Sequence, residues 1–289
     1  MSTFLQAMTN GVLIGGVYAL VAVGLTLIFG VMNTVNFAQG EFLMLGMFTT
    51  LMLAETARVD PYVFLVLVAV AFFVFGFLLE KYLIHRTIDR GHETQILLTL
   101  GLSVLFKSLA LVIWGPNFRS AVVSYRLKSL YVGGVLISYP RLLSFGVAVV
   151  VMLALWFFLN RTELGRAMRA SAVNRKSAAL MGINPDLMYG LAFGIGIMLA
   201  AVGGVSLVPF YYVFPDVGAF FGTIAFVVVV LGGLGDILGA VVGALLIGVV
   251  EALTAQYVAL DLSHLGVFLA FILVLLFRPQ GLIRGKGWA

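Results

Sequence analysis

Nine apolar runs separated by short polar connections make up most of this 289-residue chain. They fall at about 8–30, 37–55, 62–84, 95–115, 139–159, 187–213, 218–234, 237–257 and 262–277. Most approach the roughly 20 residues an α-helix needs to cross a hydrocarbon layer. Membrane β-strands would be shorter and would alternate apolar with polar positions, which these runs do not. Lipid offers no partner to an open backbone, so the runs predict helices. The expected architecture is an all-α polytopic membrane protein, one transmembrane domain over 1–289 with about eight or nine membrane segments, some of them re-entrant.

Composition supports this reading. Hydrophobic residues make up 62% of the chain and charged residues 10%, against about 25% charged in a soluble domain. The first basic residue is Arg58, so the first run lacks the basic start of a secretory signal and is expected to stay as a helix. Cysteine is absent, which excludes disulfides and thiolate metal ligands. The net charge of +5 reads as an orientation signal rather than a nucleic-acid footprint. Lys81, Arg86, Arg90, Arg161, Arg166, Arg169, Arg175, Lys176, Arg278, Arg284 and Lys286 fall on one side of the predicted spans, and Arg58, Arg119, Arg126, Lys128 and Arg141 on the other. Basic residues collect in cytoplasmic loops, so the first set predicts a cytoplasmic C-terminus and an external N-terminus.

Two strings interrupt the pattern. Residues 33–41 read NTVNFAQGE, and residues 232–236 read GGLGD. Interruptions at matching places in two halves point to a transport path, and the run 218–231 is short enough to be re-entrant. The plainer reading makes both strings ordinary turns. That suits 232–236 better than 33–41, where Asn33, Asn36, Gln39 and Glu41 occur without one basic residue. Glu41 reads either as a charge stabilised at a helix start or as a polar contact on the path. Within the spans, Lys107 and Glu251 occupy similar predicted depths, and intramembrane charges tend to pair; they read either as a pair or, the favoured reading, as two groups that each reach a boundary or a different polar partner.

Glycines at four-residue spacing, in Gly11 and Gly15, Gly190 and Gly194, and Gly235, Gly239 and Gly243, let helices approach closely. They serve packing within the chain or an interface to a second membrane subunit. Tyr211 and Tyr212 read as an aromatic belt. The loop 116–140, with Tyr125, Tyr131 and Tyr139, is the longest external connection and a candidate surface for a soluble partner.

Residues 161–185 predict two short helices. Thr162 caps one beginning at Glu163, Asn174 caps another over 175–181, Gly182 ends it, and Asn184 followed by Pro185 blocks continuation. Ala178, Ala179, Leu180 and Met181 among cations suit either a groove on a partner or a lipid headgroup layer. No phosphate-binding GxxxxGK[ST] loop, GxSxG turn or HExxH spacing occurs, so catalysis and metal binding within the chain are not expected.

Four segments carry a family resemblance: GLTLIFGVMNTVNFAQGEFLMLG (24–46), TELGRAMRASAVNRKSAALMGI (162–183), LGGLGDILGAVVGALLIG (231–248) and LFRPQGL (276–282). Together they resemble the permease subunit of branched-chain amino acid ABC importers, over nearly the whole chain. The resemblance implies a type II ABC importer fold in the bacterial inner membrane. It also implies a heterodimer with a second homologous permease, two cytoplasmic ATPase subunits that bind ATP and Mg, and a periplasmic solute-binding protein. It implies a cytoplasmic coupling loop at 162–183, hence ATPase docking by Ala178, Ala179, Leu180, Met181 and Gly182. Importers of urea, short amides and aromatic acids share these motifs, and a self-sufficient secondary transporter is the reading from another class.

Overall fold

A computed structural model describes residues 2–278 and 280–282. Arg284 and Lys286 of the basic tail lie outside the described residues. In chain order the elements are α1 (Ser2–Met32), α2 (Gln39–Ala57), α3 (Leu65–Leu79), α4 (His92–Trp114), β1 (Ser129–Val132), β2 (Val135–Ser138), α5 (Tyr139–Arg161), α6 (Glu163–Val173), α7 (Arg175–Leu180), α8 (Pro185–Leu207), α9 (Val217–Gly232), α10 (Ile237–Tyr257) and α11 (Ser263–Phe277). Every predicted run corresponds to a helix.

Among the described residues, 7 helical stretches are long and apolar enough to cross a membrane. They are α1, α4, α5, α8, α10, α3 with its tighter and wider flanking turns (Pro61–Ile88), and α11 with its leading turn (Leu260–Phe277). The two that fall short are α2 and α9. The 16 residues of α9 span about 24 Å, less than the roughly 30 Å of a hydrocarbon core. It nevertheless runs in one direction, from Tyr18 and His264 at its start to Gly239 and Leu282 at its end.

The core is built on α1 and α8, which are buried nearly all round, while α3, α4, α5 and α11 keep apolar side chains such as Val66, Val104, Leu153 and Leu269 on the outside. Close helix approach needs residues without side chains. At Gly11 an added Cβ would lie 2.6 Å from Val249 Cα of α10, and at Gly194 it would lie 2.9 Å from the Phe73 carbonyl of α3. Gly239 and Gly243 likewise pack on Gly232 and Val228 of α9. These glycines hold the chain's own helices together. Gly235 departs from the expected stripe: it lies before α10 with φ +85, because the α9–α10 connection turns there. The 232–236 string is thus a turn, closed by Asp236 accepting from Gly239 N at 2.8 Å.

The two ends of the bundle differ. At one, Gln6 of α1 exchanges hydrogen bonds of 2.6 and 2.7 Å with Leu136 of the β1–β2 hairpin, whose turn at Gly133 and Gly134 has positive φ at both positions, as a tight hairpin requires. At the other, α6 and α7 join the end of α5 to the start of α8.

Candidate functional site

The break between α1 and α2 is a built feature. Asn33 ends α1 in the left-handed region (φ 54) with its N–H on the Phe29 carbonyl at 2.7 Å. Asn tolerates that conformation better than most residues. Asn33 is exposed, so its role in the structure is to stop a helix. Residues 34–38 then run without helical hydrogen bonds, although Thr34 and Asn36 are fully buried. Buried backbone and side-chain polar groups need partners.

Those partners come from α4. Gln95, Thr99, Ser103 and Lys107 recur every fourth residue and so share one face. Thr34 Oγ1 donates to Gln95 Oε1 at 2.6 Å, Thr99 Oγ1 to the Val35 carbonyl at 3.3 Å, and Ser103 Oγ to Glu41 Oε1 at 3.2 Å. Asn36 Nδ2 donates to Gln39 Oε1 at 3.1 Å, and its Oδ1 accepts from Ala38 N at 3.1 Å. Gln39 Nε2 reaches the Gly196 carbonyl of α8 at 2.9 Å. An added Cβ at Gly24 would lie 2.8 Å from that same nitrogen, so a side chain there would expel Gln39.

The starts of α2 and α9 meet beside this ladder. Gly40 packs on the Gly218 carbonyl, and Phe37 stacks on Phe226 with ring centroids 5.9 Å apart. Asn36, Gln39, Glu41, Ser103 and Thr223 line a cavity of about 360 Å³ together with apolar residues that include Leu25 and Leu100, within the usual size range of small-molecule sites. Glu41 is 2% exposed and its Oε2 has no hydrogen-bond partner. The structure therefore brings Asn36, Gln39 and Glu41 to one cavity and leaves Asn33 outside it.

One turn beyond Ser103, the Lys107 ammonium forms an ion pair with Asp216, the residue before α9. Lys107 and Glu251 therefore do not pair with each other, and the favoured reading of separate polar partners holds. Glu251 instead accepts from Tyr18 Oη at 2.6 Å and lies 4.0 Å from His264. Similar depth along two helices does not place two side chains on facing sides. The α4 stripe is the part of the candidate site that sequence reasoning missed. Its signal was present as the four-residue spacing of its polar positions, diluted in a 23-residue apolar helix.

The α6–α7 element forms by local capping. Thr162 Oγ1 accepts from Gly165 N at 3.0 Å, Asn174 Oδ1 from Ser177 N at 3.0 Å, and Asn184 Oδ1 from Asp186 N at 3.1 Å. Gly182 (φ +82) closes α7, with Ile183 N on the Ala178 carbonyl and Gly182 N on the Ala179 carbonyl, each at 3.1 Å, the paired bonds of a glycine-ended helix. Leu180 and Met181 are 89% and 83% exposed; Ala179 and Gly182 are also exposed, whereas Ala178 is buried at 4%. Ala178 therefore packs inward and belongs to no docking surface. Arg175 pairs with Asp186 at 3.0 Å, which ties α7 to the start of α8.

The helices define an all-α polytopic membrane protein. The fold is similar to that of a chain of PsaBC from Streptococcus pneumoniae in complex with Fab, with a TM-score of 0.54, 12% identity and coverage of 96% of this chain and 92% of that one. Residues 7–277 match the family described as the permease component of the branched-chain amino acid transport system, and the chain belongs to that family. It is 35% identical to the high-affinity branched-chain amino acid transport system permease protein BraD of Pseudomonas aeruginosa, over 97% of this chain and 95% of the relative. It is 34% identical, with the same coverage, to the corresponding protein LivH of Escherichia coli K12. The protein is a multi-pass permease subunit of an ABC importer.

Proposed function

We propose that this subunit moves branched-chain or related amino acids from a periplasmic binding protein to the cytoplasm by alternating access in the bacterial inner membrane. The observation that carries the reading is the polar face of α2, α4 and α9. It holds a carboxylate, amides, hydroxyls and an ion pair at the level of helices whose other faces are apolar. Charged groups in spans face protein or a water-filled path. A second, homologous permease is the partner that covers this face, and the path runs between the two. Apolar Leu25, Leu100, Phe37 and Phe226 suit an aliphatic side chain. Glu41 suits an ammonium group, which favours amino acids over urea, amides or aromatic acids.

Two ATPase subunits grip the chain at Ala179, Leu180, Met181 and Gly182. They bind ATP and Mg, and the permease itself catalyses no reaction. The end bearing α6 and α7 then faces the cytoplasm, the hairpin end faces the periplasm, and the N-terminus lies outside. A weak, wet path suffices because the binding protein supplies affinity. ATP binding pushes on α7, and the tie from Arg175 to Asp186 passes that motion to α8.

The test is reconstitution. Liposomes with both permeases, the ATPases and the binding protein should take up leucine with ATP, and the permeases alone should not. Ala179→Arg should leave membrane insertion intact and abolish co-purification of the ATPases. Uphill uptake by the permeases alone, or normal co-purification of the variant, contradicts the reading.

A further inference from the structure

A second cavity, of about 390 Å³, lies nearer the hairpin end, between α1, the start of α5, the end of α10 and the start of α11. It shares no lining residue with the first. Its distinguishing content is a guanidinium and a carboxylate that do not pair with each other, with His264 beside the carboxylate. Arg141 makes no ion pair or hydrogen bond among the described residues; its guanidinium carbon lies 5.9 Å from the centre of the Phe210 ring. Glu251 gives one oxygen to Tyr18 Oη at 2.6 Å. Its other oxygen lies 4.0 Å from His264 Nδ1, too long for a hydrogen bond. Arg141 and Glu251 are close enough for their charges to interact without meeting as an ion pair.

A guanidinium offers five donors and prefers planar or tetrahedral oxyanions. The free Glu251 oxygen accepts from an N–H. Ile14, Phe210 and Leu260 give the cavity apolar walls, and exposed apolar side chains continue from Leu260, in the turn before α11, to Leu265 and Leu269 on α11. We propose that this cavity binds a single zwitterion, with its anionic group on Arg141 and a primary ammonium on Glu251. Two molecules share that chemistry: the phosphoethanolamine headgroup of a membrane lipid, whose acyl chains lie along α11, and a free α-amino acid. The proposal does not depend on where the transport path runs.

The experiment uses the importer assembled with its partner subunits, mildly delipidated and examined by native mass spectrometry. The probes are phosphatidylethanolamine, phosphatidylcholine, phosphatidylglycerol and leucine, each added separately. If the lipid is the ligand, phosphatidylethanolamine is retained at one per subunit. Phosphatidylcholine, whose methyls remove the N–H donors, and phosphatidylglycerol, which has no ammonium, are not. Arg141→Gln then lowers retention about tenfold, and Arg141→Lys restores part of it. Ala255→Trp fills the cavity, leaves both charges in place and abolishes retention. Leucine binding with the same sensitivity to these variants supports the site and makes its source aqueous. Equal retention of all three lipids, or retention unchanged in both Arg141→Gln and Ala255→Trp, overturns the proposal.

Discussion

Lys107 on α4 and Asp216 at the start of α9 form an ion pair although their side chains are 38% and 63% exposed. Placing a charge at the centre of a lipid-facing helix costs about 2.5–3.5 kcal/mol on insertion scales. This pair sits next to an apolar surface that includes Leu100 and Val104, so water or a second protein must cover it. Replacing Lys107 by Met strands Asp216 and should cut uptake to a small fraction of wild type. Lys107→Asp combined with Asp216→Lys should recover more uptake than either single change. A leucine uptake assay in cells lacking the native subunit measures both.

Glu41 is held by one hydrogen bond from Ser103, and its second oxygen is buried without a hydrogen-bond partner. Glu41→Gln keeps an acceptor for Ser103 and removes the charge. Loss of a charged hydrogen bond to an ammonium is worth about 1.5–3 kcal/mol. Uptake should therefore fall roughly tenfold or more, with subunit assembly and membrane level unchanged. Transport kinetics alongside pull-down of the partner subunits check both parts.

The non-helical stretch before α2 depends on α4 and α8 for its hydrogen bonds. Thr99→Val removes the donor to the Val35 carbonyl, and Gln39→Leu removes the donor to the Gly196 carbonyl. The first takes a bond from the half-buried Val35 carbonyl, and the second takes from the Gly196 carbonyl a bond additional to its helical one, each at a cost of about 0.5–1.5 kcal/mol. Thermal unfolding in detergent should show lower midpoints for both. Gln39→Leu should be the worse, because it also ends the bond from Asn36.

Arg175 and Asp186 join α7 to α8 across a half-exposed contact. Such a pair adds about 0–1 kcal/mol to stability, so Arg175→Ala should fold and still bind the ATPases. Its effect belongs to transmission. ATP hydrolysis should continue while leucine uptake per ATP falls several-fold, read by assaying both in the same liposomes.

What the sequence revealed follows the range of the interactions involved. Spans were legible because lipid imposes helices on apolar runs. The α6–α7 element was legible to within one residue, through Thr162, Asn174, Gly182 and Asn184, because capping is decided within a few positions. The two short helices drew attention through their flanking strings, yet 232–236 proved a turn and 33–41 a built break, a distinction that depends on α4 and α8 far along the chain. Partners of Lys107 and Glu251 were not legible, since helix depth leaves rotation about the axis unspecified. Ala178 turned inward for the same reason. The stripe of Gln95, Thr99, Ser103 and Lys107 was written in the sequence at helical spacing.

The absence of cysteine allows the polar face to be probed one residue at a time. Single Ser103→Cys and Thr223→Cys variants, assembled with the partner subunits, are exposed to a membrane-impermeant charged thiol reagent applied to both sides of the membrane. Leu153→Cys on the outer apolar surface of α5 serves as the reference. If this face lines the solute path, both cavity positions label, their rates change when ATP is trapped on the ATPases, and Leu153→Cys stays unlabelled. Cavity positions as inert as Leu153→Cys in every state would contradict the account.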